Sequence, residues 1–304
     1  MPQFDKWIKN LSASDPVGRV ARRSVRLRLE AVWHYLPLAA KHAGENIEYV
    51  HQLRVWTRRS LAALDLFTEL LPKTEEKWFC KTLHKIRRAA GKARDLDVLI
   101  DNRRNDKGKR AHDFLDDLQK RRKRAQKPIV SVFHKVSRKD RFARQLKSLR
   151  KKTSQTTHEL FGPWAMDKLK KIAKPFFKTA TFDTHNLSKL HRFRIRGKEL
   201  RYAMELLAPA FPDSFRNHLY PVVEVLQSRI GAIHDGAVAV ARFEKWLAHS
   251  PNKQRAKHVR KLLTAEQENL EKLLSEFHNW WTPELESELH ESFDRFTKCD
   301  GHIE

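Results

Sequence analysis

The chain has 304 residues, and its 62 Lys and Arg against 37 Asp and Glu give a formal net charge of +25. Hydrophobic residues still make up 40% of the sequence, which excludes a disordered polybasic tail because enough apolar side chain remains to form a core. The two cysteines are far apart, the N-terminus lacks a leader-like apolar stretch, and no uncharged apolar run approaches the ~18 residues of a membrane span. These features predict a cytoplasmic protein that crosses no membrane.

Helical periodicity dominates the chain from Asp15 onward, and strand-like alternation is nearly absent. Gly and Pro, at 9 and 12 residues, are scarce, which favours long helices. The fold class predicted is therefore all-α. In chain order, we predict helices over 15–43, 45–71, 74–90, 94–104, 110–136 and from there to about 158, with a helix end at Pro72, a break at Gly91, a loop over 102–108 and a boundary at 161–163.

An internal repeat appears when the sequence is shifted by 140 residues, so that position 51 aligns with 191 and position 98 with 238 without a gap. Eight of these 48 positions are identical, against roughly three expected from average composition. The identical pairs are His51/His191, Arg54/Arg194, Ala63/Ala203, Leu66/Leu206, Pro72/Pro212, Gly91/Gly231, Asp95/Asp235 and Val98/Val238. We therefore predict two similar helical bundles in tandem, residues 1–160 and 161–304, which together form one domain.

Basic residues collect on single helix faces in both repeats. At about 100° per residue, His51, Arg54 and Arg58 lie together and opposite the apolar side of their helix, and the second repeat shows the same division. A single basic stripe, including the run at 120–124, is ordinarily a solvated helix face. A duplicated cluster of like charges, however, suggests an anionic ligand that offsets their repulsion. The candidates on these faces are Arg19, Arg22, Arg26, His51, Arg54, Arg58, Lys81, Lys85, Arg88, Lys92, His191, Arg194, Lys198 and Arg201.

Four segments resemble the two halves of the CHAD domain, the conserved histidine α-helical domain: VHQLRVWTRR (50–59) with AGKARDLDVL (90–99), and LHRFRIRGKELRY (190–202) with IGAIHD (230–235). The resemblance implies two four-helix bundles related by a pseudo-two-fold, with a basic central cavity that binds inorganic polyphosphate. It also implies association with polyphosphate granules, and it adds Arg59 and Tyr202 to the candidate ligands. One departure is His234-Asp235-Gly236, which stands where the first half has Arg94-Asp95-Leu96.

An enzyme is the first alternative, because His234-Asp235 could be taken for the metal-binding pair of an HD-type phosphohydrolase. His234 aligns with Arg94, which cannot bind a metal, and Asp95 and Asp235 follow glycines, where a carboxylate commonly caps a helix. Walker A and GxSxG motifs and the acidic set of the tunnel triphosphatases are absent. We therefore expect no catalysis, no cofactor and no metal.

A protein that binds nucleic acid nonspecifically is the second alternative, since a charge of +25 also attracts DNA and RNA. Base stacking needs exposed aromatics, whereas Trp56, Phe67, Phe79 and Phe193 fall on apolar helix faces and are predicted to be core. The pair Trp280-Trp281 is predicted to be a packing anchor. The expected partner is inorganic polyphosphate, with phosphate or sulfate at the same site and only weak binding of nucleic acid.

Overall fold

The structure, a computed structural model, describes residues 4–104, 109–153, 159–249 and 253–297. Regular secondary structure in these ranges is helical, which confirms the all-α prediction. None of the described helices has the length and apolar character needed to cross a membrane. The loop predicted up to Gly108, the helix end predicted near His158 and Cys299 lie outside the described residues.

The chain divides into two compact units, the first made of the described residues of Met1–Ile8 and Asp15–Phe161. In this unit α1 packs on α2, α2 on α3, and α3 on α4, while a shorter helix, α5, contacts α1, α3 and α4. The helices are α1 (Val17–Lys41), α2 (Glu48–Leu66), α3 (Lys73–Asn102), α4 (Lys109–Ser137) and α5 (Arg141–Lys152). Pro72 lies between α2 and α3, but α2 ends at Leu66, earlier than the predicted end at Pro72, and a 3-10 turn over Thr68–Leu70 follows it.

The second unit is made of Lys9–Ser14 and the described residues of Gly162–Glu304. Here α7 packs on α8 and α8 on α9, and a π-helical turn over Phe215–Leu219 leads into α8. The helices are α6 (Phe161–Thr179), which begins at the division between the units, α7 (Leu187–Leu207), α8 (Tyr220–Ala248), α9 (Lys253–Trp280) and α10 (Pro283–Thr297).

Aromatic side chains fill both cores, and Trp56, Phe67, Phe79 and Phe193 are all buried, as their helix faces predicted. Each fully buried ring contributes on the order of 1.5–3 kcal/mol of hydrophobic stabilisation. Trp281 is 2% exposed and its ring centroid lies 5.5 Å from that of Phe193, so the predicted packing anchor is confirmed at this position.

The predicted helix break at Gly91 is wrong, because α3 continues from Lys73 through Gly91 to Asn102. The repeat-related Gly231 likewise lies inside α8. A glycine inside a helix costs only about 1 kcal/mol relative to alanine, which tertiary packing readily outweighs. The interpretation of Asp95 and Asp235 as N-terminal caps is wrong for the same reason, since both lie in helix interiors with exposed side chains.

Candidate functional site

Five basic side chains from α2 and α3 come together in the first unit, and we call His51, Arg54, Arg58, Arg87 and Arg94 the first cluster. The helical period of α2 puts its three members on one face, and the guanidinium of Arg54 reaches α3, where Nη1 donates to the backbone carbonyl of Arg87 at 3.4 Å. The absence of a side chain at residue 91 permits this approach, because a Cβ there would lie 3.2 Å from that Nη1.

Mutual repulsion marks the electrostatics of the first cluster. Burial, and then the charge of Arg94, lower the pKa of His51. Glu48 opposes this shift, and the charges of Arg58 and Arg54 add to it. Burial and the neighbouring guanidinium groups of Arg58, Arg87 and Arg94 lower the pKa of Arg54 as well, against the opposing charge of Asp95. Without a ligand, these residues therefore hold more positive charge together than their local carboxylates compensate.

The second unit holds a related group on α7 and α8, and we call His191, Arg194, Lys198, His234 and Asp235 the second cluster. The imidazole rings of His191 and His234 lie 5.3 Å apart, and Arg194 Nη2 lies 3.9 Å from Asp235 Oδ1. The side chain of Arg194 is 15% exposed whereas that of Asp235 is 80% exposed. The cation is thus held partly inside the unit, and the carboxylate stands toward solvent.

Repulsion also acts on a histidine of the second cluster. Burial, and then the charges of Arg194, His191 and Lys198, lower the pKa of His234, while Asp235 opposes this shift. A proton on His234 is therefore disfavoured in the ligand-free protein, and an anion placed beside it would reverse that preference.

The two clusters use the same positions of the sequence repeat. His51 of the first unit has Arg94 as a neighbour, and His191 of the second unit has His234. Arg94 and His234 occupy the same position of the repeat, directly before the aspartate. Arg54 likewise lies near Asp95, and Arg194 lies near Asp235. The shift of 140 residues therefore pairs side chains that have matching neighbours in the two units.

Two predicted ligands of the second repeat are engaged elsewhere. The guanidinium of Arg201 lies 3.1 Å from the buried carboxylate of Glu205 and 3.6 Å from Glu224, and it donates to the Tyr220 hydroxyl at 3.2 Å. Tyr202 is 7% exposed and lies beneath the same guanidinium, whose Cζ is 4.7 Å from the ring centroid. The charge of Arg201 is thus compensated within the unit by the carboxylates of Glu205 and Glu224.

The predicted ligands of α1 to α3 are spread over several surfaces. Arg19 pairs with Asp15 at 2.8 Å, and Arg22 and Arg26 line a groove against α5. The guanidinium of Arg59 lies over the ring of Trp56, with Cζ 5.0 Å from the centroid. The exposed stripe on α3 lies about 100° or more around the helix from Arg87 and Arg94; its members are Lys81, Lys85, Arg88 and Lys92.

Arg87, Arg94 and His234 belong to the clusters although they are not among the ligands predicted from the sequence. The signal for the first two was present, because Arg87, Gly91 and Arg94 follow the helical spacing of four and three residues. The predicted break at Gly91 ended the helix before Arg94, so this spacing was not used to place Arg87 and Arg94 on one helix face. The signal for His234 was its alignment with Arg94 in the repeat.

A metal is poorly suited to the second cluster, because His234 lies close enough to the cations Arg194 and Lys198 to be repelled by them. In the described part of the chain, no group of three or more His, Cys, Asp or Glu side chains is arranged to hold a metal ion. The arrangement of both clusters instead suits anions, since Arg offers a planar fork of donors and Lys a mobile charge.

Comparison with known proteins gives one family. A search of curated protein sequences yields no match. Among solved structures, a CHAD domain from the plant Ricinus communis has a TM-score of 0.68 and 20% identity over 88% of this chain and 93% of that chain. PptA from Streptomyces chartreusis has a TM-score of 0.59 and 18% identity over 88% of this chain and 99% of that chain. These similarities concern the fold. The family model of the CHAD domain matches residues 23–244, most of the sequence, so the chain belongs to the CHAD domain family.

Proposed function

We propose that this protein binds inorganic polyphosphate through the first and second clusters and catalyses no reaction. The observation that carries the proposal is the gathering of cations beside a histidine at matching positions of both units, with pKa values lowered by burial and repulsion at His51, Arg54 and His234. Such repulsion is relieved by a ligand that carries several adjacent negative charges.

Phosphate groups fit the donors that the clusters offer. Arg54 and Arg194 are held near α3 and α8 respectively, so little side-chain freedom remains to be lost when they bind an anion. Each also has an aspartate nearby, Asp95 or Asp235, which supplies only one negative charge among several positive ones. Phosphate and sulfate ions are expected to occupy the same positions weakly.

A polyphosphate chain is favoured over nucleic acid because the aromatic side chains predicted to be core are buried. Trp56, Phe67, Phe79 and Phe193 offer no surface on which a base could stack. Membership of the CHAD family supports the same choice. The proposal includes association with polyphosphate granules, and two repeats, 1–160 and 161–304, each built on a four-helix bundle and together forming one domain.

Paired charge reversals test this function. We expect Arg54→Glu with Arg58→Glu, and separately Arg194→Glu with Lys198→Glu, each to weaken binding of long-chain polyphosphate by several kcal/mol, because each charge-assisted contact is worth roughly 1.5–3 kcal/mol. The matched control is Lys170→Glu with Lys174→Glu, which removes the same charge at the same spacing from exposed lysines of α6. Equal binding by the control and by either cluster variant would refute the proposal.

Competition identifies the ligand class. In fluorescence anisotropy at ~150 mM salt, we expect long-chain polyphosphate to displace a duplex DNA probe and DNA to displace polyphosphate only weakly, because the binding of DNA by a surface without base contacts is electrostatic and sensitive to salt. DNA that displaces polyphosphate under these conditions would favour the nucleic-acid alternative.

A further inference from the structure

A basic groove of about 640 Å3 lies between α1 and α5 of the first unit. Five cationic side chains line it against one carboxylate: Arg22, Arg26, Lys147, Arg150 and Lys151 against Glu30. Arg26 and Glu30 pair with each other at 3.3 Å. Among the described residues, no acidic side chain pairs with the remaining four cations, so their repulsion is uncompensated in the ligand-free protein.

The groove is separate from the first cluster in the elements that build it. Its lining comes from α1 and α5, whereas the first cluster comes from α2 and α3. The charges that shift the pKa values of His51 and Arg54 all lie on α2 and α3. A ligand in the groove therefore meets a different set of donors from a ligand at the cluster.

The charge of α5 distinguishes the first unit from the second. Six of the 12 residues of α5 are Lys or Arg, and none is Asp or Glu. The last helix of the second unit, α10, is acidic instead, with Glu284, Glu286, Glu288, Glu291 and Asp294 against Arg295. A basic α5 is therefore not a consequence of the repeated fold, and it concentrates positive charge on one groove.

The cations are placed in two rows. Arg22 and Arg26 are four residues apart on α1, and Lys147 and Lys151 are four residues apart on α5, so each pair spans about 6 Å of its helix. Rows of donors on two walls can contact successive phosphate groups of one ligand, where a single phosphate would meet only part of them. We propose that the α1–α5 groove is a second site, which binds a run of adjacent phosphate groups independently of the two clusters.

Two sources share this chemistry, inorganic polyphosphate and a nucleoside triphosphate. The groove is also lined by the half-buried ring of Trp33, which is stacked on Phe142 with centroids 4.8 Å apart, and by the apolar side chain of Leu146. These apolar groups can contact a base but contribute nothing to a bare phosphate chain. Tripolyphosphate and ATP are therefore the two probes.

Site-resolved footprinting on the full chain is the first test. We expect tripolyphosphate to protect Lys147 and Lys151 from a lysine-acylating reagent by at least about fivefold, because bound phosphate shields both amines from the reagent, and to leave the exposed Lys170 and Lys174 unchanged. Equal protection of both lysine pairs would show only nonspecific attraction and overturn the proposal. This measurement needs no variant and therefore does not depend on folding of a mutant.

Calorimetric titration with tripolyphosphate is the second test. We expect Lys147→Glu with Lys151→Glu to remove one binding event or weaken it at least about tenfold, while the control Lys170→Glu with Lys174→Glu retains it. The event should persist in Arg54→Glu with Arg58→Glu, so a failure of the clusters and a failure of the groove are distinguishable. The same titration curve for groove and control variants would refute the site.

The ATP arm separates the two sources. Binding of ATP that is tighter than that of tripolyphosphate, with the difference abolished by Trp33→Leu, would assign the groove to nucleoside triphosphates. Tighter binding of tripolyphosphate, with no effect of Trp33→Leu, would assign it to inorganic chains. Absence of protection at Lys147 and Lys151 by either probe would overturn the proposal.

Discussion

Substitution of Gly91 by alanine separates stability from ligand binding in the first unit. Gly91 lies inside α3, so a β-carbon there removes backbone freedom from the unfolded chain and raises helix propensity by about 1 kcal/mol. The same β-carbon would lie 3.2 Å from Arg54 Nη1, and the guanidinium must move by a few tenths of an ångström to reach ordinary contact. Because Nη1 is the far end of a long, partly exposed side chain, a small displacement relieves the contact at little cost in stability.

The displacement falls on the contact that holds Arg54 at the first cluster. Its hydrogen bond to the Arg87 carbonyl is already 3.4 Å long and would be lost. Because Arg54 would be displaced from the cluster while its charge is kept, we expect Gly91→Ala to cost about half of one charge-assisted contact in binding, ~1 kcal/mol or about fivefold. Its free energy of unfolding should be unchanged or higher by up to about 1 kcal/mol.

Gly231→Ala is the matched control, since Gly231 occupies the same repeat position inside α8 and a β-carbon there meets no atom within 4 Å. It should stabilise the protein by up to about 1 kcal/mol and leave polyphosphate affinity unchanged. Urea unfolding gives the stabilities and anisotropy with labelled polyphosphate gives the affinities. Equal binding by both variants and the parent protein, or a loss of stability of more than about 1 kcal/mol in Gly91→Ala, would refute this role of Gly91.

Two further predictions concern protonation. Burial and cationic neighbours lower the pKa values of His51 and His234 in the free protein, against the opposing Glu48 and Asp235, so both imidazoles are predominantly neutral at pH 7. Polyphosphate should raise these pKa values. Its binding should therefore take up protons and strengthen as pH falls from about 8 towards 6. Calorimetry in two buffers of different ionisation enthalpy measures this proton uptake. The double variant His51→Gln with His234→Gln should abolish it, whereas the exposed control His84→Gln should not. Unchanged proton uptake in the double variant would contradict the role of these two histidines. Hydrogen bonds from Lys152 and Ser148 lower the pKa of the buried Glu75 carboxylate, so its stabilising contribution is present above the ordinary glutamate pKa and is lost as pH falls through the lowered value. Urea unfolding of Lys152→Met should show a loss on the order of 1 kcal/mol at pH 7, because solvent screens the exposed Lys152 ammonium, and a smaller loss near pH 3. Equal losses at the two pH values would exclude the ionised pair as the cause.

The fold class was readable from the sequence, and so was the positive charge on which the proposed ligand depends. Helical periodicity predicts the buried faces because a residue's angle around its own helix depends only on its number, which is why Trp56, Phe67, Phe79 and Phe193 are found in the core. The excess of Lys and Arg predicts an anionic partner because long-range electrostatics depends on total charge. The shift of 140 residues predicts which basic residues occupy matching positions.

Tertiary structure decided which of these basic residues meet. Arg54 meets Arg87 and Arg94 because α3 continues through Gly91, and a glycine penalty of about 1 kcal/mol is too small to predict a break against the packing of a 30-residue helix. Arg201 lies on a basic face by sequence, yet Glu205 and Glu224 compensate its charge. Periodicity gives the face of one helix but not its rotation toward a neighbour, because that rotation is set by side-chain packing between helices distant in sequence.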